Sequence, residues 1–461
     1  MDTIRLPEAF RLRMERLLGQ EAQPFFDALY KAPFRAFRQD VTKLSPSLVL
    51  PDLAGENPRR VPFADNAYYL TNDAVGRSLA HRIGAVYVQD PAAMAPVAAL
   101  GKRCFRRVLD LCAAPGGKSL QIASSLLAED GLIICNEIAP VRRTVLMQNI
   151  ERCAERRATV SAFDATRLPD EWRGAFDLVV CDAPCSGEGM MRKNPDAITL
   201  WSEEKVVAMA SLQAKILDSA QQCVAPGGVL LYATCTFSPE ENEEQIDRFL
   251  TAHPDFSLVP PAEPVASCAV KGLERGRCAE GMTLRFYPHR FDGEGQFCAV
   301  LQKNGALSLR PISFPRQKKK APDPAKAIVR AFLDSVLQAP YPGQIVMRGW
   351  DAYLCFSEDF PVEGLASPGV LIGRVQKGRV VPHHRFFCAM APFFLRQARL
   401  LKTDERVQRY LAGEEIPLDL PDGWGVLMIE NCPLGGVKTV RGTAKNHYPK
   451  GLRKDFPCTT N

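Results

Sequence analysis

Several features that would assign this chain to other protein classes are missing from its sequence. No apolar run approaches the roughly 18 residues that a membrane-spanning helix needs. The N-terminus has an early acid and no apolar core, so we expect no signal peptide. No two cysteines have C-x-x-C spacing, and the closest pair, Cys181 and Cys185, has no second pair to complete a structural zinc site. The sequence therefore predicts neither a membrane protein nor a structural zinc protein.

The composition is that of an ordinary globular protein. The 461 residues are 46% hydrophobic and 24% charged, and this length predicts about three domains. The 15 cysteines are an odd number spread along a long chain, which excludes a small secreted domain held by disulfides. A reducing compartment fits this pattern, so we expect a cytoplasmic location.

Positive charge is concentrated in two places. The net charge is +6, which alone does not predict a partner. Residues 310–330 contain seven basic residues and one acidic residue, Asp323. Residues 441–461 contain five basic residues and one acidic residue, Asp455. Such clusters attract phosphate backbones. Each is equally consistent with a solvated linker or tail.

A regular alternation of apolar runs begins near residue 107. Helical spacing before it predicts one or two helices in residues 7–29. The apolar runs at residues 108–111, 132–135, 176–180 and 229–232 are separated by amphipathic segments at residues 120–127, 141–150 and 208–223. This order is typical of a parallel sheet with helices on both faces, an α/β fold. Further strands are predicted at residues 343–347 and 424–429.

The loop after the first predicted strand has the composition of a ligand-binding turn. Gly116 and Gly117 allow a ligand to approach the backbone, and the helix that follows offers free N–H groups. The candidate binding residues are Asp110, Cys112, Ala113, Ala114, Pro115, Gly116, Gly117 and Lys118. A phosphate-binding loop is disfavoured because that motif needs glycine where Cys112 stands. The spacing of the dinucleotide motif is absent as well.

Acidic residues follow the next two predicted strands. Glu137 is placed to accept hydrogen bonds from ribose hydroxyls, and Asp164 to meet an adenine amino group. Arg142 completes this candidate set. A glycine loop and two acids in this order predict an adenosine-type pocket, and without a phosphate loop its expected occupant is S-adenosylmethionine. Each acid alone is more often a helix cap or a surface residue.

Two cysteines follow the last two predicted strands of the series. Cys185 lies in Asp182-Ala-Pro-Cys-Ser and Cys235 in Thr234-Cys-Thr, both beside the expected methyl donor. A thiolate is a strong nucleophile. Its attack on carbon 6 of a pyrimidine makes carbon 5 able to accept a methyl group, after which a base removes the carbon 5 proton and the thiol is expelled.

These segments together resemble the RNA cytosine-5 methyltransferases of the RsmB/Nop/Sun family. The resemblance covers residues 61–303 and rests on highly specific motifs. The segments that carry it are 112–119, 182–186, 234–235, 238–243, 192–201 and 286–297. The resemblance implies that Cys235 is the nucleophile and that Cys185 helps release the product. It also implies that Asp182 lies near both donor and base, and that residues 192–201 approach the RNA.

The resemblance leaves alternatives for the substrate. DNA cytosine methyltransferases attack with the Pro-Cys cysteine, so the second cysteine, Cys235, favours RNA. The short N-terminal region and the C-terminal 150 or so residues are similar to RsmF-type members, which methylate 16S ribosomal RNA in the small ribosomal subunit. Relatives that modify transfer RNA remain an alternative. A non-catalytic RNA-binding assembly factor is disfavoured because both cysteines are present.

The expected architecture follows from the same resemblance. It is an α/β fold with a Rossmann-like S-adenosylmethionine-dependent methyltransferase core, a small N-terminal α+β domain and a C-terminal PUA-like α+β/β region. The predicted divisions are an RNA-binding domain at 1–100, the methyltransferase domain at 101–304, a basic linker at 305–328, an intermediate domain at 329–395 and a PUA-like RNA-binding domain at 396–461. We expect a monomer that binds RNA, with the linker and C-terminal region holding it. His447 and Tyr448 are candidates for stacking on an unpaired base, or alternatively for packing the last domain.

Overall fold

The computed structural model describes residues 6–72, 74–310, 323–356 and 364–453. Half of the predicted basic linker, residues 311–322 with Arg316 and Lys318 to Lys320, lies outside the described residues, as does the chain after Arg453. Among the described residues, no helix is long and apolar enough to cross a membrane.

The N-terminal region combines short helices with a small antiparallel sheet. Its helices are α1 (Glu8–Leu18), α2 (Ala22–Leu29), α3 (Leu50–Ala54), α4 (Leu79–Arg82) and α5 (Ala95–Ala98), and its strands are β1 (Ala36–Gln39), β2 (Ala67–Tyr69) and β3 (Val86–Gln89). The strand order is β2-β1-β3. The helices predicted in residues 7–29 are therefore found as α1 and α2.

The central region is built on one large sheet. Its strands are β4 (Phe105–Asp110), β5 (Leu127–Asn136), β6 (Ala158–Ser161), β7 (Phe176–Asp182), β8 (Val224–Thr234), β9 (Phe256–Val259), β10 (Val270–Lys271), β11 (Thr283–Phe286) and β12 (Gln296–Lys303). Its helices are α6 (Gly117–Ser125), α7 (Pro140–Arg152), α8 (Pro195–Thr199), α9 (Glu203–Cys223), α10 (Glu243–Ala252) and α11 (Val265–Cys268). Strands β6-β5-β4-β7-β8 are parallel, and β12 and β11 continue the sheet antiparallel.

Both faces of the parallel strands are buried, which explains their continuous apolar runs. Side chains alternate along a strand. Val108 on β4 belongs to the cluster that also contains residues of the N-terminal region, whereas the next residue, Leu109, packs on the opposite face with residues of α9 and α10. The predicted α/β fold is confirmed.

Helix α9 carries the start signals expected from its sequence. The Ser202 side chain accepts a hydrogen bond from Lys205 N at 3.2 Å, and Glu203 and Glu204 lie in the first turn. A capping hydroxyl and early acids both stabilise a helix N-terminus. The buried side chains of α9 pack on the face of the sheet formed by β7 and β8.

The C-terminal part contains two further sheets. Its helices are α12 (Pro324–Val336), α13 (His384–Ala389) and α14 (Glu405–Ala412), and its strands are β13 (Gln344–Arg348), β14 (Asp351–Cys355), β15 (Leu365–Ser367), β16 (Val370–Gln376), β17 (Arg379–Pro382), β18 (Gln397–Leu400), β19 (Ile416–Pro417), β20 (Gly423–Ile429), β21 (Cys432–Val440) and β22 (Thr443–Asn446). The sheet orders are β13-β14-β16-β17 and β18-β20-β21-β22-β19. The strands predicted at residues 343–347 and 424–429 correspond to β13 and β20.

The regions are joined by shared packing. Strand β15 pairs antiparallel with β6 and extends the central sheet. Apolar residues of the N-terminal region, such as Phe37 and Leu53, share one buried cluster with Val407 of α14 and Leu427 of the last sheet. The N-terminal region therefore packs against the central sheet on one side and the last sheet on the other.

Candidate active site

The loop from Asp110 to α6 lies at the carboxyl end of β4, where the sequence predicts ligand binding. Asp110 is buried, and its Oδ2 accepts a hydrogen bond from Ser119 Oγ at 2.6 Å. Its Oδ1 has no hydrogen-bond partner among the described residues, and burial raises its pKa to about 7. Gly116 adopts φ +109°, a conformation that side chains rarely take, immediately before α6 begins.

Side chains from the N-terminal sheet and from α7 hold this loop by its main-chain oxygens. From the N-terminal sheet, Arg38 Nη2 donates to Gly117 O at 3.0 Å, and Tyr87 Oη donates to Pro115 O at 3.3 Å. From α7, Arg142 Nη2 donates to Ala114 O at 2.8 Å. The N-terminal region thus helps to shape the predicted donor pocket, which the sequence did not indicate.

The two predicted acids differ in their surroundings. Glu137 is 3% exposed, and its Oε1 accepts from Ala139 N at 2.9 Å. Its Oε2 has no hydrogen-bond partner among the described residues and lies 3.5 Å from Arg142 Nη1. Asp164 is exposed and accepts from Thr166 N and Oγ1, and these bonds lower the pKa of its carboxyl. Glu137 therefore has a free acceptor in the site, whereas one oxygen of Asp164 is already engaged in its own loop.

Lys118 and Asp182 form an ion pair in the floor of the site. Lys118 Nζ lies 2.7 Å from Asp182 Oδ2. Burial opposes the charge on Lys118, but the interaction with Asp182, and a smaller one with Asp110, raise the pKa of the ammonium above its usual value. The pair joins α6, which follows the predicted donor loop, to the end of β7.

The two predicted catalytic cysteines meet at the ends of adjacent strands. Cys185 Sγ lies 3.4 Å from Cys235 Sγ, although the two residues are 50 positions apart. The contact with Cys235 and burial both raise the pKa of the Cys185 thiol. Both cysteines, Asp182 and the donor loop line one cavity of about 770 Å³.

The sequence does not predict the buried polar network that lies behind these cysteines. Ser186 and Thr236, each directly after a cysteine, lie with their hydroxyl oxygens 2.8 Å apart. Glu188 accepts from Thr236 Oγ1 at 2.9 Å, and Glu241 accepts from Ser186 N at 2.9 Å. Thr234 Oγ1 donates to Asn242 Oδ1 at 2.6 Å. The available signal is the Ser-Pro-Glu-Glu-Asn-Glu segment, which carries the family resemblance but indicates no role for its residues.

The segment expected to approach the RNA divides into two parts. Arg192 is buried and pairs with Glu294 at 2.9 Å, so it supports the wall rather than facing a substrate. Lys193 lines the cavity and pairs with Asp90 of the N-terminal region. The guanidinium of Arg192 is therefore engaged by a buried carboxylate, and the approach of residues 192–201 to the RNA stays a prediction.

The cavity has the features that an adenosine-type methyl donor requires. It contains buried acceptor oxygens on Asp110 and Glu137 without hydrogen-bond partners among the described residues, next to a glycine turn and a helix N-terminus. Its remaining volume extends to Cys185 and Cys235. Within the part of the chain that the structure describes, no group of three or more His, Cys, Asp or Glu side chains is arranged to hold a metal ion.

The last sheet places the two predicted stacking residues differently. Tyr448 is 4% exposed and packs against Tyr410 and His384, which agrees with the packing alternative and not with stacking on a base. His447 is exposed and lies against Trp424, with ring centroids 4.5 Å apart. Only His447 of this pair is therefore at the surface.

Comparison with known proteins identifies the family. Family models described as 16S rRNA methyltransferase RsmB/F, N-terminal domain of 16S rRNA methyltransferase RsmF, and methyltransferase RsmF PUA domain match residues 98–302, 6–91 and 401–454. The ribosomal RNA small subunit methyltransferase F of Erwinia tasmaniensis is 31% identical, with 97% of each chain covered. That of Vibrio vulnificus is 30% identical, with 98% of each covered.

A solved structure agrees with this assignment. A methyltransferase homologue from Pyrococcus horikoshii is 25% identical with a TM-score of 0.56, covering 65% of this chain and 96% of its own. The family and the methyltransferase fold expected from the sequence are confirmed. The chain belongs to the ribosomal RNA small subunit methyltransferase F family.

Proposed function

We propose that this protein transfers a methyl group from S-adenosylmethionine to carbon 5 of a cytosine in small-subunit ribosomal RNA. The observation that supports this most is the pair of cysteines, with Sγ atoms 3.4 Å apart, beside the predicted donor loop. The relatives that match along 97–98% of the chain are named ribosomal RNA small subunit methyltransferase F. That name supports ribosomal over transfer RNA as the substrate.

Cys235 acts as the nucleophile in this proposal. Its thiolate forms a bond to carbon 6 of the cytosine, and the electron pair of the carbon 5–carbon 6 double bond moves toward carbon 5. S-adenosylmethionine, when bound, supplies the methyl group that carbon 5 takes. Cys185 assists release, in which the carbon 5 proton leaves to a base, the double bond reforms and the sulfur of Cys235 departs.

The donor-binding residues are proposed on the positions described above. Asp110 and the loop from Cys112 to Gly117 surround the donor, with Lys118 and Asp182 beneath it. Glu137 accepts from the ribose, Arg142 orients Glu137 and the loop, and Asp164 lies at the adenine end. The orphaned oxygens of Asp110 and Glu137 support this placement, since buried acceptors without partners are rare unless a ligand or water satisfies them.

A surface on the last sheet is proposed to hold RNA. Lys438 and Lys445 are exposed and directly opposite each other on β21 and β22. Lys438 Nζ also lies 5.4 Å from the Trp424 ring centroid, and His447 packs on the same ring. Paired cations beside the half-buried Trp424 and the exposed His447 suit contacts to phosphates and bases.

A cytoplasmic monomer without a membrane partner completes the proposal. None of the 14 cysteines among the described residues forms a disulfide, which fits a reducing compartment. Bisulfite sequencing of ribosomal and transfer RNA from a deletion strain identifies the substrate. Loss of a methylated position in transfer RNA alone would contradict the ribosomal assignment.

Trapping the covalent adduct tests the cysteine roles. Cys185→Ala, incubated with small-subunit RNA and S-adenosylmethionine, is expected to accumulate a protein–RNA adduct that survives denaturing electrophoresis. Cys235→Ala is expected to give no adduct and no turnover. The exposed Cys104, which lies outside the cavity, provides the control variant Cys104→Ala. An adduct formed by Cys235→Ala but not by Cys185→Ala would reverse the assignment.

A further inference from the structure

We propose that Glu241 is a neutral carboxylic acid whose proton links the two cysteine loops, which makes it a positioning residue for Cys185 and Cys235. The inference deepens the proposed function and rests on it for the roles of the two thiols. The proton itself follows from the arrangement of four buried side chains alone.

Those four side chains form a continuous chain of oxygen atoms. Glu241 Oε1 is in hydrogen-bonding contact with Ser186 Oγ. Ser186 Oγ lies 2.8 Å from Thr236 Oγ1, which lies 2.9 Å from Glu188 Oε2. All four residues are at most 1% exposed, so water does not reach the chain from bulk solvent. The chain therefore has three contacts that each need a hydrogen atom.

The two hydroxyl groups supply only two hydrogens. A serine or threonine hydroxyl carries one hydrogen, and an ionised carboxylate carries none. If both glutamates were ionised, one of the three contacts would bring two oxygens together with no hydrogen between them. One additional proton on a carboxyl group completes the chain, and every contact then becomes a hydrogen bond.

The surroundings of Glu188 show that it is the ionised member. Its Oε1 accepts from Trp201 Nε1 at 2.9 Å and Ser238 Oγ at 2.7 Å. Its Oε2 accepts from Phe237 N at 2.9 Å in addition to Thr236. Each oxygen of Glu188 thus accepts from an N–H group, which can only donate, whereas both N–H donors of Glu241 fall on Oε2 and leave Oε1 without one. The additional proton therefore belongs to Glu241.

Glu241 has one oxygen free to carry the proton. Its Oε2 accepts from Ser186 N at 2.9 Å and from Gln213 Nε2 at 2.8 Å, while Oε1 meets only the Ser186 hydroxyl. With the proton on Oε1, Glu241 donates to Ser186, Ser186 donates to Thr236, and Thr236 donates to Glu188. Burial raises the pKa of Glu241 to about 7, in the same direction.

The charged groups nearby do not stabilise an ionised Glu241. Arg13 and Arg285 pair with its sequence neighbours Glu240 and Glu243 instead. The titratable groups that face Glu241 itself are Glu188, whose negative charge raises its pKa, and the Cys185 thiol. On its remaining side, Tyr232 Oη donates to the Glu241 main-chain oxygen at 2.6 Å.

The protonated chain fixes the separation of the two thiols. Ser186 directly follows Cys185 and Thr236 directly follows Cys235, so the Ser186–Thr236 hydrogen bond sets how closely the two loops approach. Gln213 Nε2 also donates to Pro184 O at 3.0 Å, which secures the first loop from α9. Ionisation of Glu241 removes one hydrogen from this chain and loosens the contact between the loops.

Infrared spectroscopy of the full-length protein detects the proton directly. Glu241→Gln carries an N–H where the acid carries its O–H, so it preserves every bond of the chain. The difference spectrum between wild type and Glu241→Gln is expected to contain the carbonyl stretch of a protonated carboxylic acid below about pH 7, which disappears at higher pH. A band that is instead removed by Glu188→Gln, or no such band at any pH, would overturn the proposal. This result does not depend on whether RNA is methylated.

Adduct formation in a Cys185→Ala background tests the positioning role. Glu241→Ala is expected to slow adduct formation about tenfold or more, and Glu241→Gln is expected to form the adduct at most of the rate of the protein with a protonated Glu241. The protein with native Glu241 and the Glu241→Gln variant carry the same Cys235, so the ratio of their rates cancels thiol ionisation. This ratio, native over variant, should fall as pH rises from about 6 to about 8. A constant ratio would show that the proton has no positioning role. If the protein with native Glu241 forms no adduct, the proposed cysteine roles fail while the infrared result stands.

Discussion

Removing the free acceptor of Glu137 should weaken donor binding by a predictable amount. The side chain is 3% exposed, and its Oε2 receives no hydrogen bond from the described residues. A ribose hydroxyl that donates to this oxygen would form a hydrogen bond to a charged group, which contributes about 1.5–3 kcal/mol. Losing it corresponds to a decrease in affinity of roughly 10- to 150-fold.

The choice of substitution separates binding from stability. Glu137→Ala also removes Oε1, which accepts from Ala139 N at the start of α7. Glu137→Gln keeps that acceptor and replaces only Oε2 by an N–H2 group that cannot accept. We therefore expect Glu137→Gln to lose most of the affinity while unfolding at nearly the wild-type temperature, and Glu137→Ala to lose both affinity and stability.

Calorimetric titration with S-adenosylmethionine measures the effect. Asp130 is an exposed carboxylate on β5, the strand that ends directly before Glu137. It provides the control variant Asp130→Asn, which should bind the donor as wild type does. If Glu137→Gln binds with unchanged affinity, its Oε2 does not contact the ribose, and the placement of the donor along β5 would have to be abandoned.

Three further predictions concern the cysteine pair, the buried acid of the donor loop and the last sheet. Diamide, which takes up two electrons and two protons, should join Cys185 and Cys235 by a disulfide. The disulfide should abolish methylation until dithiothreitol is added. Peptide mapping that finds both thiols free in the inactive protein would contradict this. Burial raises the pKa of Asp110 to about 7, so the folded protein retains a proton that the unfolded chain loses near pH 4. The free energy of unfolding should therefore fall by up to about 4 kcal/mol as pH rises from about 4 to 7. Asp110→Asn should reduce this loss in urea unfolding, and equal losses in both proteins would refute the shift. Replacing Lys438 and Lys445 by alanine should flatten the salt dependence of RNA binding by about 0.7–0.9 in log–log slope per lysine, and an unchanged slope would exclude this surface from the RNA interface.

The positions of the motifs were predictable because they follow from one regular pattern. Apolar runs separated by amphipathic segments specify a parallel sheet, and residues directly after such strands gather at one edge. Cys185, Cys235 and Glu137 could therefore be expected near each other without knowledge of any distance. The domain divisions and the chemical roles of these residues remain predictions.

The contacts between distant segments were not predictable from the same pattern. Arg38 reaches Gly117 O across the boundary between two regions, and nothing in its local sequence distinguishes it from other surface arginines. Arg192 lies in the segment that the resemblance places near the RNA, but its guanidinium pairs with the buried carboxylate of Glu294. Tyr448 and His447 are adjacent, and alternation along the chain sends one into the core and the other to the surface.

The apolar cluster shared by the N-terminal region and the last sheet affects how the protein is synthesised. Ser45 bonds to Glu430 across this contact, although 385 residues separate them. At about 5–20 residues per second on the ribosome, roughly 20–80 s pass before the second partner is made. During that time the N-terminal part of this cluster, which includes Phe37 and Leu53, lacks the C-terminal residues that complete it. The first domain to be translated is therefore among the last to be finished, and for that interval its uncovered surface depends on chaperones or the growing chain for protection from aggregation.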